Sequence, residues 1–181
     1  MGPSCCRRFL LLIALLGWAY GCRVAGDPAA LNRALALRFP SVSRLTTGDL
    51  AGWLARTDTV RPILLDVRAP EEFAVSHLAG ARLTPSLEPA LAALAAAPAD
   101  TPVVAYCSVG WRAAALAARL HERGYTRVYT LEGSLFQWAN EGRPVYADSG
   151  QVQVVDPYGE PWSRFLDPAR RAPAWRRRPG G

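Results

Sequence analysis

The sequence predicts a single α/β domain built on a mainly parallel sheet, and two observations carry that expectation. Short, mostly apolar runs of strand length alternate with segments of helical spacing. Half of the 181 residues are apolar and 20% are charged, the composition of one globular unit. At this length there is little room for a second core. Four cysteines are too few for a disulfide scaffold.

Residues 1–22 read as an export signal. Arg7 and Arg8 supply the positive start, and residues 9–20 (FLLLIALLGWAY) carry no charge. That run falls short of the roughly 18–20 residues that span a bilayer and matches the apolar region of a signal. Ala19-Tyr20-Gly21-Cys22 is similar to a bacterial lipoprotein box, which makes Cys22 a lipidation candidate. Cleavage near Val24-Ala25-Gly26 is the alternative, and a retained anchor is a third reading. The expected location is therefore the bacterial periplasm or a membrane-anchored lipoprotein, with a lipid or uncleaved signal as the only membrane attachment.

Within residues 23–41, a helical extension is expected from the spacing of DPAALNRALAL, with Pro28 in its first turn and Pro40 past its end. Thr46-Thr47 can cap a short helix reaching Arg56. Pro62 opens the apolar run ILLDV, a buried parallel strand that ends at Asp66. Ala69-Pro70-Glu71-Glu72-Phe73 starts another helix, with proline and acids in the first turn. Residues 86–97 are Ala/Leu-rich helix, and TPVVAY (101–106) is a second buried strand. A strong helix runs over 112–123 and stops at Gly124, a left-handed cap candidate. Residues 127–131 (RVYTL) form a third strand, and 133–140 a last helix. Beyond Pro144 the pattern fades. Residues 147–167 form an arm, extended over 151–155, with Trp162, Phe165 and Leu166 able to pack back. Residues 168–181 are Arg-rich with almost no apolar content and are expected to be disordered.

Every one of the 21 basic residues is arginine, and the net +6 belongs to the ends of the chain. Between Asp27 and Asp167, 13 arginines stand against 15 acids, a balance of −2. The folded body therefore has no electrostatic footprint for nucleic acid. His77 and His121 are far apart and the body keeps one cysteine, so no metal set is expected.

The chemistry concentrates in VVAYCSVGWRAAALAARL. A buried strand ends at Tyr106, Cys107 follows at once, then Ser108, Val109, Gly110 and Trp111, and Arg112 opens a helix. Such a loop can turn backbone N–H groups inward beside the positive end of a helix dipole. Gly110 provides a position where positive φ costs little. Arg112 adds a full charge suited to an anion. All of these favour the thiolate, the nucleophilic form of cysteine. The bland alternatives are a buried apolar thiol, a solvated Arg112 and a Trp111 that merely sits on the rim.

LLDVRAPEEFAVSHLAGARL, VVAYCSVGWRAA and VYTLEGSLFQWANEGRPV together resemble a single-domain rhodanese, the thiosulfate sulfurtransferase-like family, over residues 42–146. The resemblance implies a mainly parallel five-stranded sheet flanked by helices, with Cys107 as nucleophile and residues 108–112 as the substrate loop. It also implies sulfur transfer from thiosulfate or a similar sulfane donor to a thiol or cyanide through a cysteine persulfide, with no cofactor. Asp66 and Arg68 as an ion pair near the strand end, His77 in a segment that resembles the family's His-Leu/Ile-x-Gly turn, and Glu132 capping or hydrogen-bonding the backbone are expected as structural supports. The loop departs from the family where a second basic or polar residue is common; Ser108 and Val109 stand there. Gly133-Ser134 replaces a usual glycine pair. A carrier or protein-binding module without turnover is the alternative. A phosphatase-like enzyme fits less well, because those loops read Cys-x5-Arg and this one reads Cys-x4-Arg, with Tyr106 in place of their His.

Overall fold

The computed structural model describes residues 27–173. Eleven elements lie in the α/β body: α1 Pro28–Arg38, β1 Ser43–Leu45, α2 Thr47–Ala55, β2 Ile63–Asp66, α3 Pro70–Val75, β3 Arg82–Leu83, α4 Leu87–Leu94, β4 Val103–Tyr106, α5 Trp111–Glu122, β5 Val128–Leu131 and α6 Ser134–Asn140. The strands form one sheet in the order β1-β5-β4-β2-β3, and every pairing is parallel. The expected mainly parallel five-stranded sheet is therefore present, with β4 in its centre.

Period-two alternation on the central strands divides the core. Val103, Ala105 and Cys107 fall on one face with Leu87, Ala90 and Leu94 of α4 and Ala113, Leu116, Ala117 and Leu120 of α5. Val104 and Tyr106 fall on the other with Leu31 and Leu35 of α1, Leu50 of α2, and Leu135 and Phe136 of α6. Burial on both faces explains why β2 and β4 read as unbroken apolar runs. The edge strands β1 and β3 span only three and two residues.

Capping matches the local chemistry. The Thr46 hydroxyl accepts from Asp49 N–H at the start of α2, and the Asp49 carboxylate accepts from Thr46 N–H in return. Gly124, at φ +89°, follows α5 in the left-handed region, and its N–H reaches the His121 carbonyl.

After the body, β6 (Val145–Ala147) and β7 (Gly150–Val152) form an antiparallel hairpin tied to His77 by a two-way bridge with Tyr146. The expected extended arm is thus a hairpin followed by a return. The expected disorder from residue 168 fails for its first six residues. Pro168–Arg170 make a 3-10 turn, the Arg170 carbonyl accepts from Val155 N–H at 2.7 Å, and Ala172 N–H donates to Val155 O at 3.0 Å. Backbone pairing with a fully buried Val155 orders a stretch that its composition leaves unmarked. The rest of the tail and the whole export segment, Cys22 included, lie outside the described residues.

Candidate active site

β4 ends in the middle of the sheet, and Cys107 is the first residue beyond it, at the carboxyl edge where parallel α/β sheets place their ligands. The loop 107–110 is held from behind by α6, whose Leu135 and Phe136 N–H groups donate to the Cys107 and Ser108 carbonyls, both at 3.1 Å. In a trans peptide the N–H points opposite to the carbonyl, so the Ser108 and Val109 amides turn away from α6. Gly110, at φ +106°, completes the turn, and its N–H donates to Cys107 Sγ at 3.1 Å. A Cβ at Gly110 would approach Leu35 Cδ1 of α1 to 3.2 Å in a conformation L-residues rarely adopt.

Cys107 is only 1% exposed, yet it lines a pocket of ≈ 120 Å³ with Ser108, Val109, Trp111, Arg112, Tyr158 and Trp162. Cys107 thus belongs to the buried core face and to the wall of the pocket at once.

Arg112 requires a correction. The sequence reading offers its charge to an incoming anion, but in the structure its guanidinium is bidentate on Glu72, Nη1 to Oε2 at 2.8 Å and Nη2 to Oε1 at 2.9 Å. The cause is Glu72 itself, a fully buried carboxylate in the first turn of α3 that requires neutralisation. Ala69 N–H and the Ser108 hydroxyl complete its shell at 2.9 and 3.0 Å. Burial pushes the Glu72 carboxyl up, but the Arg112 and Ala69 bonds outweigh it and hold it below the ordinary 4.5. For Arg112, burial acts against the charge, while the Glu72 bonds and then the neighbouring Cys107 sulfur raise its pKa above the ordinary arginine value. The guanidinium also lies over the Tyr158 ring, with Cζ 4.6 Å from the ring centroid.

The remaining expected residues stand around this centre. Ser108 bridges Glu72 and Arg112 through its hydroxyl, and Val109 lines the pocket. Trp111 is 43% exposed and meets Phe39 edge-on at 5.8 Å. Asp66 and Arg68 form a fully buried ion pair at 2.7 Å, and Arg68 also donates to the Ser76 carbonyl. His77 lies flat on Phe73, with Nδ1 3.0 Å from the Phe73 carbonyl. Glu132 was expected to cap or hydrogen-bond the backbone; its N–H donates to the Leu45 carbonyl at 2.8 Å, and its carboxylate pairs with Arg44 at 3.2 Å, because β1 runs alongside β5 and brings that cation to the strand end.

Four residues outside the expected set belong to the site: Glu72, Tyr158, Ser134 and Trp162, the last expected only to pack back on the domain. Glu72 was visible only as a first-turn acid. Tyr158 had no sequence signal. Ser134 had one, a hydroxyl where the related turn carries a second glycine. It holds φ +56° beside Gly133 and accepts the Cys107 N–H on its Oγ at 2.8 Å.

A family model described as rhodanese-like domain matches residues 46–141. A sulfurtransferase of Allochromatium vinosum is 34% identical over 110 residues, which are 60% of this chain and 99% of that one. A probable adenylyltransferase/sulfurtransferase of Mycobacterium tuberculosis is 33% identical over 132 residues, 72% of this chain but only 31% of the relative. The chain therefore spans about a third of that relative's length. The crystal structure of a thiosulfate sulfurtransferase from Pseudomonas aeruginosa superposes with a TM-score of 0.51 at 35% identity, over 59% of this chain and 20% of that one. With the motifs in order, the parallel sheet and a family match over more than half its length, the chain belongs to the rhodanese-like domain family.

Proposed function

We propose that the protein is a sulfurtransferase that carries sulfane sulfur on Cys107. The observation that supports it best is a recessed Sγ receiving the Gly110 N–H at 3.1 Å beside a pocket of ≈ 120 Å³. An amide aimed at Sγ stabilises negative charge on the attacking thiolate, and again when that thiolate is the leaving group of the second step. With thiosulfate as donor, the Cys107 thiolate attacks the outer sulfur and the S–S bond of the donor breaks. Its electron pair leaves as sulfite, and Cys107 becomes a persulfide. A thiol or cyanide nucleophile then takes the outer sulfur and restores the thiolate, a ping-pong cycle. The relatives named as sulfurtransferases support the same reading.

Intact mass after incubation with thiosulfate tests it. The expected result is an increase of one sulfur atom, reversed by cyanide and lost in Cys107→Ser. An unchanged wild-type mass across sulfane donors would remove the proposal. The carrier reading draws on the weak charge of the loop, whose Arg112 is paired with Glu72, and on the extension that carries Trp162 and Leu166. It predicts loading without turnover when a small thiol is supplied. Export by residues 1–22 is part of the proposal, and the mass of the protein recovered from a bacterial periplasm or membrane fraction checks it.

A further inference from the structure

The family match ends at residue 141, but the pocket does not: Tyr158 and Trp162 in its wall belong to the arm that follows. This arm is built in place. Val155, Ser163 and Leu166 are buried, Asn140 Nδ2 donates to the Phe165 carbonyl at 2.9 Å, and Asp167 N–H donates to Asn140 Oδ1 at 2.8 Å. Tyr158 is held at φ +66°, with its N–H on Asp156 Oδ1 at 2.8 Å, and Trp162 N–H returns to the Gly159 carbonyl at 3.0 Å. A non-glycine residue in that region is kept there by its surroundings. With Trp111 from α5, the arm makes three of the seven lining residues aromatic. Arg112 is the one cation among these described lining residues, and it is already paired with Glu72.

Resting on the sulfurtransferase reading, we infer that the arm is a specificity wall selecting a singly charged sulfane donor with a one-ring apolar body over the small dianion thiosulfate. A dianion approaching the Cys107 thiolate finds no uncommitted cation in the lining. A flat ring finds aromatic faces, where stacking adds to the gain from removing apolar surface from water. The size limits the apolar body to one ring: an enclosed cavity of about 150 Å³ accepts benzene, and this pocket of ≈ 120 Å³ is open to solvent, so part of such a donor stands in the mouth. An aryl thiosulfonate meets the description. The Cys107 thiolate attacks its sulfane sulfur, the bond from that sulfur to the sulfonyl sulfur breaks, and the electron pair leaves on the aryl sulfinate. Cys107 is left as the persulfide, with no outside oxidant or reductant.

The test compares benzenethiosulfonate, methanethiosulfonate and thiosulfate with one thiol acceptor on the full chain. The first two differ only in the apolar body, so the ratio of their kcat/KM isolates the ring. That ratio also cancels any loss of folded enzyme in a variant. Trp162→Ala is expected to lower it by about tenfold, the discrimination typical of one apolar group in a pocket; Tyr158→Ala lowers it as well, and Trp162→Phe restores most of it. Thiosulfate is expected to be the poorest of the three donors in the wild type. A ratio unmoved by both alanine variants, or thiosulfate as the best donor, would overturn the inference while leaving sulfur transfer intact. If none of the three donors adds sulfur to Cys107, the sulfurtransferase reading falls and the inference with it.

Discussion

Ser134 shows how one side chain can serve two ends at once. Its positive φ carries a backbone cost of order 1–3 kcal/mol, and its hydroxyl accepts the buried Cys107 N–H that would otherwise be orphaned. Ser134→Ala keeps the strain and loses the acceptor, so it is expected to destabilise by about 1–3 kcal/mol. Ser134→Gly loses the same bond but relieves the backbone, so its urea midpoint should lie between those of wild type and the alanine variant. The opposite order would show that the hydroxyl does not support the loop. Legibility at this scale followed chain distance. Cys107, Gly110 and Arg112 are consecutive features of one strand-loop-helix and could be read together. Glu72, Ser134 and Tyr158 reach the same spot from 35, 27 and 51 positions away in the chain, and only folding brings them there.

Among elements, the decisive contact is between the first turn of α3 and the start of α5. Glu72 and Arg112 pin one to the other, with Ser108 caught between them, and so set the height of the loop over the sheet. Glu72→Gln keeps the shape but removes the charge, leaving a guanidinium only 32% exposed without its counterion. A cost of about 1–3 kcal/mol is expected near neutral pH. The sign of its pH dependence follows from the carboxyl being held below its unfolded value. The wild-type contribution is fully present above about pH 4.5 and is lost as pH falls through the lower folded value. Urea titrations of the two proteins should therefore converge in acid; a gap that persists there would show that the pair is not its source. The apolar runs of β2, β4 and β5 announced themselves in the sequence. The edge strands did not, because two or three residues cannot display a period, and Ser43 and Arg44 of β1 are exposed. Their presence was implied only through the family resemblance.

For the whole molecule, the arm turns a small sheet-and-helix body into a body with a covered mouth. Leu166, 1% exposed in the core shared by α1, α2 and α6, is one of its anchors, together with Val155. Leu166→Ala is expected to cost about 2–5 kcal/mol, felt first as release of the arm. Labelling of Cys107 by a bulky maleimide should then accelerate several-fold while the far-ultraviolet circular dichroism of the body stays unchanged. Equal labelling rates would mean that the arm does not guard the thiol. The anchoring role of Trp162, Phe165 and Leu166 was readable from their apolar character. That Trp162 would face the cysteine was not, since no spacing rule links a tail to a loop on another element.

The recessed thiol also bears on traffic through the site. A cysteine carried on another folded protein brings that protein's surface with it, and Tyr158 and Trp162 stand in the wall of the ≈ 120 Å³ pocket that it would have to approach, whereas a free low-molecular-weight thiol carries no such bulk. Handover to a macromolecule would thus depend on displacement of the arm that carries Tyr158 and Trp162, and the cargo would be shielded from chance encounters with other chains until then.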